Sequence, residues 1–146
     1  MQKYTFLPLI RELAQCYQAF EAYSALNHRD MGLTSCQFDI IATLGNTPGM
    51  SFRELGRKTL ITKGTLTGVV DRLAAKDLVV RTPDPNDRRS QIVSLTGQGQ
   101  ALFEIVFPQQ LEYLDRAFAA LKNEEIEQMQ RSLSRLRSIF RLQEPK

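Results

Sequence analysis

Apolar residues recur early in the chain at Leu9, Leu13, Cys16, Phe20 and Tyr23, in alternating steps of four and three. That is the period of one face of an α-helix. Asn27, His28, Asp30 and Gly32 then mark its end. Thr34 with Gln37 three positions on has the form of a capping box. It opens a short helix carrying Phe38, Ile41 and Leu44, stopped by Gly45, Asn46, Pro48 and Gly49. Ser51 with Glu54 repeats the capping signature ahead of a helix of about two turns through Lys58. Thr62 is a fitting N-cap for a fourth helix, whose Leu66, Val69, Val70 and Leu73 lie on one face.

The period then changes. Leu78-Val79-Val80-Arg81-Thr82 and Gln91-Ile92-Val93-Ser94-Leu95 are short and β-branched, so they predict two strands of a hairpin. Between them Pro83 to Ser90 read as a turn-rich loop with Arg88 and Arg89 at its tip. Thr96 can cap a helix carrying Phe107, Leu111, Leu114, Phe118 and Leu121, in which Pro108 should cause a bend. Asn123 is the predicted cap of a last helix, with Glu124 and Glu125 well placed against its dipole. The expected class is mainly α with a small β-hairpin wing.

The apolar stripes of the terminal helices exceed what a small central unit can cover. Leu9, Leu13, Phe118, Met129, Leu133, Leu136 and Phe140 are therefore expected to pack against a second copy of the chain. An intramolecular bundle is the alternative. Tyr17, Phe20, Tyr23 and Phe38 are expected to be plain core, with the lining of a ligand pocket as the second option.

Charge sharpens this picture. The formal net charge of +3 is modest, but its distribution is uneven. Between Ser51 and Thr96 the basic residues are Arg53, Arg57, Lys58, Lys63, Arg72, Lys76, Arg81, Arg88 and Arg89, against Glu54, Asp71, Asp77, Asp84 and Asp87. A polyanion binder gathers its cations in this way. Two cysteines, Cys16 and Cys36, and one histidine, His28, are too few for a disulfide framework or a Cys/His metal site. No cofactor is called for, and with no Gly-rich phosphate loop and no paired-acid constellation there is no reaction to propose. The N-terminal segment, broken by Pro8, Arg11 and Glu12, does not read as a signal-peptide core, and no apolar run suits a membrane span. A cytoplasmic protein is expected.

The fourth helix has the shape of a DNA reader. Opposite its apolar face lie Gly64, Gly68, Asp71 and Ala75, flanked by Lys63, Thr65, Thr67 and Arg72. Small residues let a helix approach a major groove closely, while Thr and Arg reach base edges and phosphates. Two helical glycines cost roughly 0.8–1 kcal/mol each against alanine, so close backbone approach to a ligand is the favoured explanation; the other is that Gly64 lies in the first turn, where the cost is smaller, and Gly68 packs on a neighbouring helix. Thr62 at the helix start suits a phosphate. A hairpin tip bearing Arg88 and Arg89 is slim enough for a minor groove. Asp87 is expected to pair with Arg89 or Arg72, and Asp71 to orient an arginine. Ser51 and Lys58 complete the expected DNA-contacting set.

At this point a resemblance appears. Asp87-Arg88-Arg89-Ser90-Gln91-Ile92-Val93-Ser94-Leu95-Thr96 fits the pattern D-x-R-x-x-x-V-x-L-T at every fixed position. Thr34-Ser35-Cys36-Gln37-Phe38, Ser51-Phe52-Arg53-Glu54-Leu55 and Thr65-Leu66-Thr67-Gly68-Val69-Val70-Asp71-Arg72-Leu73 precede it in matching order. Together they resemble the multiple-antibiotic-resistance regulator (MarR) family of winged helix-turn-helix proteins. The resemblance implies a bacterial transcriptional regulator, usually a repressor, binding a pseudo-palindromic double-stranded operator as a homodimer. It implies that Arg89 enters the minor groove and that the helix starting near Thr62 reads the major groove. The implied layout is a single domain over 1–146. Dimerisation helices occupy about 1–32 and 97–146, and the DNA-binding lobe about 34–96, with its helix-turn-helix at about 51–76 and its wing at about 78–96. Release of DNA by a small aromatic or anionic ligand is common in the family; the effector-binding residues are unknown.

One branch of that family senses peroxides through a cysteine of the first helix. Cys16 lies in the first helix here, but on the apolar stripe, where cysteine acts as a small hydrophobe. Cys36, in a first helical turn that favours a thiolate, is expected to be structural, and His28 to be a surface residue. A redox-sensing regulator of the same fold, or a winged-helix protein–protein adaptor, are the competing readings.

Overall fold

The computed structural model describes residues 3–142. The chain divides into two compact units, Met1–Leu111 and Glu112–Lys146. In the first unit, α1 (Leu7–Asp30) and α2 (Ser35–Leu44) precede a short strand β1 (Met50–Ser51), α3 (Phe52–Thr59) and α4 (Lys63–Ala75). The wing follows as β2 (Val79–Asp84) and β3 (Asp87–Leu95). Helix α5 (Gly97–Phe118) runs on through Pro108 and across the unit boundary. Helix α6 (Asn123–Arg141) belongs to the second unit.

The core of the first unit contains the residues whose helical period predicted it, Phe38, Ile41, Leu44, Leu66, Val69, Val70 and Leu73, together with others that no period marked, Ile40 and Leu55 among them. Ile40, Ile41, Leu44, Leu55, Leu66, Val70, Leu73 and Val93 are fully buried, joining α2, α3, α4 and β3. The predicted caps are largely in place. Thr34 and Gln37 form both bonds of a capping box. The Thr96 hydroxyl accepts from Gly99 N at 3.0 Å and donates to the Asp77 carbonyl at 2.6 Å, tying the end of α4 to the start of α5. Gly99 is obligatory there, because a Cβ would collide with the Leu78 carbonyl.

The hairpin departs from expectation. The sheet is three-stranded and antiparallel in the order β1-β3-β2, and β1 was not foreseen. Met50 pairs with Val93 across β1 and β3, and Gly49, at φ +102°, makes the turn into it. Both wing strands extend well past the apolar runs, and Asp84 faces Asp87 across a tight turn at Pro85-Asn86. Arg88 and Arg89 therefore lie on β3, not on a long loop tip. Pro83 was read as a loop residue but pairs with Gln91. It is tolerated because β2 is an edge strand, where a missing N–H costs nothing.

Other corrections concern single residues. The Ser51 hydroxyl accepts from Glu54 N at 3.2 Å, but Glu54 pairs with Lys58 at 3.4 Å, and only half of the second capping box is present. The last helix is capped one residue earlier than predicted. Asn123 is its first helical residue, and the Glu125 carboxylate accepts from Lys122 N at 3.1 Å. Tyr17 and Phe20 are not core: they are 55% and 47% exposed, and Cys16 beside them is exposed too. Helix α1 ends at Asp30, with the Met31 N–H turned to the Asn27 and His28 carbonyls and Gly32 at φ +75°, but His28 in its last turn is not the surface residue expected. His28 is buried at 3% exposure; its ring stacks on Phe38 with centroids 4.3 Å apart, and its Nδ1 lies 2.9 Å from Ser35 Oγ. Asn27 donates to Gln110 at 2.8 Å, linking α1 to α5.

Candidate nucleic-acid interface

Helix α3 ends on Leu60, a left-handed residue at φ +62° whose N–H closes on the Gly56 carbonyl. That turn sets α4 against α3 through Leu55 and Leu66 in the core. Thr62 is the backbone N-cap of α4, yet its side chain makes no capping bond; its hydroxyl meets Thr65 Oγ1 at 3.2 Å on the surface. The first N–H groups of α4 thus lack the side-chain acceptor that Thr34 supplies to α2.

Along α4 the apolar positions point inward and the remainder outward. Lys63, Gly64, Thr65, Thr67, Asp71 and Arg72 are exposed and Gly68 is half-buried. A Cβ on Gly64 would meet nothing within 4 Å, and one on Gly68 only the Arg72 guanidinium at 3.8 Å. No protein packing requires either glycine, so the explanation by a neighbouring helix at Gly68 falls away. Thr67 donates to the Lys63 carbonyl at 3.2 Å, which uses its hydroxyl hydrogen within the helix and leaves the exposed oxygen able to accept.

A cleft opens between α3, the start of α4 and the wing. Arg53, Arg57, Lys63, Arg88 and Arg89 all line it, over a floor that includes Phe52, Ile61 and Leu66, and no carboxylate is among its described lining residues. Five cations converging on one concave surface create a strong local positive potential. Sequence reasoning placed Lys63, Arg88 and Arg89 in the interface and missed Arg53 and Arg57. Their spacing of four on α3 was a usable signal, since it puts both on one helical face. Ser51, Lys58, Thr62, Gly64, Thr65, Thr67, Gly68 and Arg72 do not line this cleft; the α4 residues among them form the exposed face just described, and the Ser51 hydroxyl is committed to its cap.

The aspartates are partly as expected. Asp87 Oδ1 accepts from Arg89 N at 3.0 Å. It shapes the start of β3 through the backbone rather than by pairing with a guanidinium. Asp71 does engage an arginine: its carboxylate is ion-paired with Arg81 of β2. The Arg81 guanidinium also lies 5.3 Å above the Phe52 ring of α3.

A second group of titratable residues sits on α1 and α2. Burial, then the charge of Glu21, pushes the Asp39 carboxyl up to about 6. Burial, with Asp39 and Glu21 adding to it, pushes the Cys36 thiol up. The helix start therefore does not favour a thiolate at Cys36. A hydrogen bond to Glu21, with slight burial, raises Tyr17. Burial lowers His28. Among the described residues no cluster of His, Cys, Asp and Glu could hold a metal ion, and no helix is long and apolar enough to cross a membrane.

Known proteins resemble this chain in sequence and in fold. A family model described as MarR family matches residues 31–90. The HTH-type transcriptional regulator MhqR of Bacillus subtilis is 28% identical, over 89% of this chain and 90% of its own. Among solved structures, a "probable transcriptional regulator" of Pseudomonas aeruginosa is 35% identical with a TM-score of 0.69, over 83% of this chain and 92% of that one. BpsR of Bordetella bronchiseptica, whose DNA binding is regulated by 6-hydroxynicotinic acid, is 27% identical with a TM-score of 0.80, over 93% and 97%. With the wing motif, the order of its helices and the three-stranded sheet all in agreement, the chain belongs to the MarR family of winged helix-turn-helix transcriptional regulators.

Proposed function

We propose that the chain is a sequence-specific double-stranded DNA-binding regulator, acting as a repressor and as a homodimer on a pseudo-palindromic operator. The observation that carries this reading is the cleft in which Arg53, Arg57, Lys63, Arg88 and Arg89 converge beside the small, exposed face of α4. In this account α4 enters the major groove, with Thr65 and Thr67 toward base edges and Gly64 and Gly68 allowing close approach. Thr62 and Lys63 receive a phosphate at the helix start. Arg89, positioned by Asp87, enters the minor groove with Arg88 beside it. Arg72, Lys58, Arg53 and Arg57 neutralise flanking phosphates, and Ser51 acts by capping α3. An adaptor surface for a protein partner needs no such concentration of cations.

The dimer rests on exposed apolar faces. Leu9 and Leu13 on α1, Phe118 at the end of α5, and Met129, Leu133 and Phe140 on α6 are all exposed, Leu136 is half-buried, and α6 buries no residue. These residues are assigned to dimerisation, within about 1–32 and 97–146, and the lobe of about 34–96 to DNA. A small aromatic or anionic ligand that releases DNA is supported by the similarity to BpsR. A cytoplasmic location and the absence of catalysis go with this reading.

The test is selection of duplexes from a random-sequence pool by the purified chain. Enrichment of a site with two inverted half-sites about one helical turn apart is expected. No enrichment in low-salt buffer, or a single isolated half-site, contradicts the proposal.

A further inference from the structure

We infer that Arg81 is a positioning residue that locks the wing to the reading helix, so that the two elements reach a duplex as one rigid body. This inference rests on the DNA-binding reading above. Arg81 stands on β2 two residues past Val79, paired in register with Val93. It is the point at which three elements meet: its guanidinium is ion-paired with Asp71 of α4 and lies 5.3 Å above the Phe52 ring at the start of α3. Its side chain is only 26% exposed and its Nη2 is buried. Arg81 is therefore turned inward, away from the outer surface that would meet phosphates. Asp71 explains the other half of the arrangement. A carboxylate on the outward side of α4, 58% exposed, would repel DNA if left unpaired. Paired with Arg81, its charge is balanced and its side chain fixes the angle between α4 and β2. A wing held at a fixed angle binds its groove with a high effective concentration once α4 has docked; a loose wing loses that advantage without losing a contact.

The experiment uses the full chain and the duplex that the wild type itself enriches from a random pool, with affinities measured across a salt series. Arg81→Gln is expected to weaken binding roughly tenfold, a small part of the gain that linkage can give, with the salt slope unchanged. Arg89→Ala is expected to cost at least about threefold less in the Arg81→Gln background than in the wild type, because a wing already unlocked has less to lose. Asp71→Asn, at the more exposed end of the pair, removes the carboxylate instead of leaving it unpaired; it is expected to reproduce the reduced cost of Arg89→Ala and serves if Arg81→Gln fails to fold. Unchanged affinity, or losses that multiply independently with Arg89→Ala, overturns the inference. So does a salt slope reduced by about one in Arg81→Gln, which marks a direct phosphate contact. A wild type that enriches no duplex overturns the DNA-binding reading and this role with it; a wild type that binds while the variants behave independently overturns the positioning role alone.

Discussion

Leu60 holds the turn of the helix-turn-helix in a conformation that suits glycine. At φ +62° and 79% exposure it has strain without burial to offset it, and a non-glycine residue there costs about 1 kcal/mol or more. Leu60→Gly should stabilise the fold by about 1 kcal/mol in calorimetry, and a loss of stability would mean that the Leu60 side chain is covered in the functional assembly. Asp39 is a second residue whose environment opposes its charge. Its carboxyl, pushed up to about 6 from 3.8, binds a proton more tightly when folded than when unfolded. Its contribution is thus favourable in acid and is lost as pH rises through about 6. Asp39→Asn should accordingly raise the melting temperature at about pH 7.5, with the gain fading towards about pH 4; a gain independent of pH would contradict the assignment. His28 acts in the opposite sense. Burial holds the ring neutral, so its contribution weakens as pH falls through its lowered folded value.

Between residues and the whole lies the reading helix. Gly64 faces open space in the free protein and half-buried Gly68 leaves room for a Cβ beside the Arg72 guanidinium, so alanine at either position should stabilise α4 by up to about 1 kcal/mol, least at Gly64 in the first turn. If the backbone there approaches DNA, the same substitutions should weaken binding. A variant that gains stability and keeps its affinity would show that α4 lies farther from the duplex than proposed. Helices α2 and α4 were legible in the sequence where apolar residues repeat at helical spacing, and the wing strands around Val79 and Val93 where short β-branched runs replace that period. What escaped was set by contacts between distant residues. The two residues of β1 are a strand only because β3 pairs with them. The polar stretch Asp87–Ser90 carries no strand pattern and is extended by its register with β2. His28 reads as a surface residue because the partners that bury it, Phe38 and Ser35, belong to the next helix. The wing arginines were legible through the motif; Arg53 and Arg57 were signalled only by their spacing of four on α3, because the cleft they line forms only where the folded wing meets that helix.

At the largest scale, Leu9, Leu13, Phe118, Met129, Leu133 and Phe140 leave apolar side chains exposed along α1, at the end of α5 and along α6, as expected of helices that pack against a second copy. Sedimentation at micromolar concentration should show a dimer, and Leu133→Glu should shift it towards monomer while the first unit keeps its helical content. Binding by two subunits multiplies the phosphate contacts, so affinity should fall steeply with salt. The central claim, that the cationic cleft is a duplex-binding surface completed by the wing, is tested most directly by fluorescence anisotropy of the selected duplex with wild type and Arg89→Ala at matched salt. Arg89→Ala should weaken binding by roughly tenfold or more, since a base-reading arginine is worth about 1–3 kcal/mol, with the circular dichroism spectrum unchanged. Equal affinity of the two proteins at every salt concentration would contradict it.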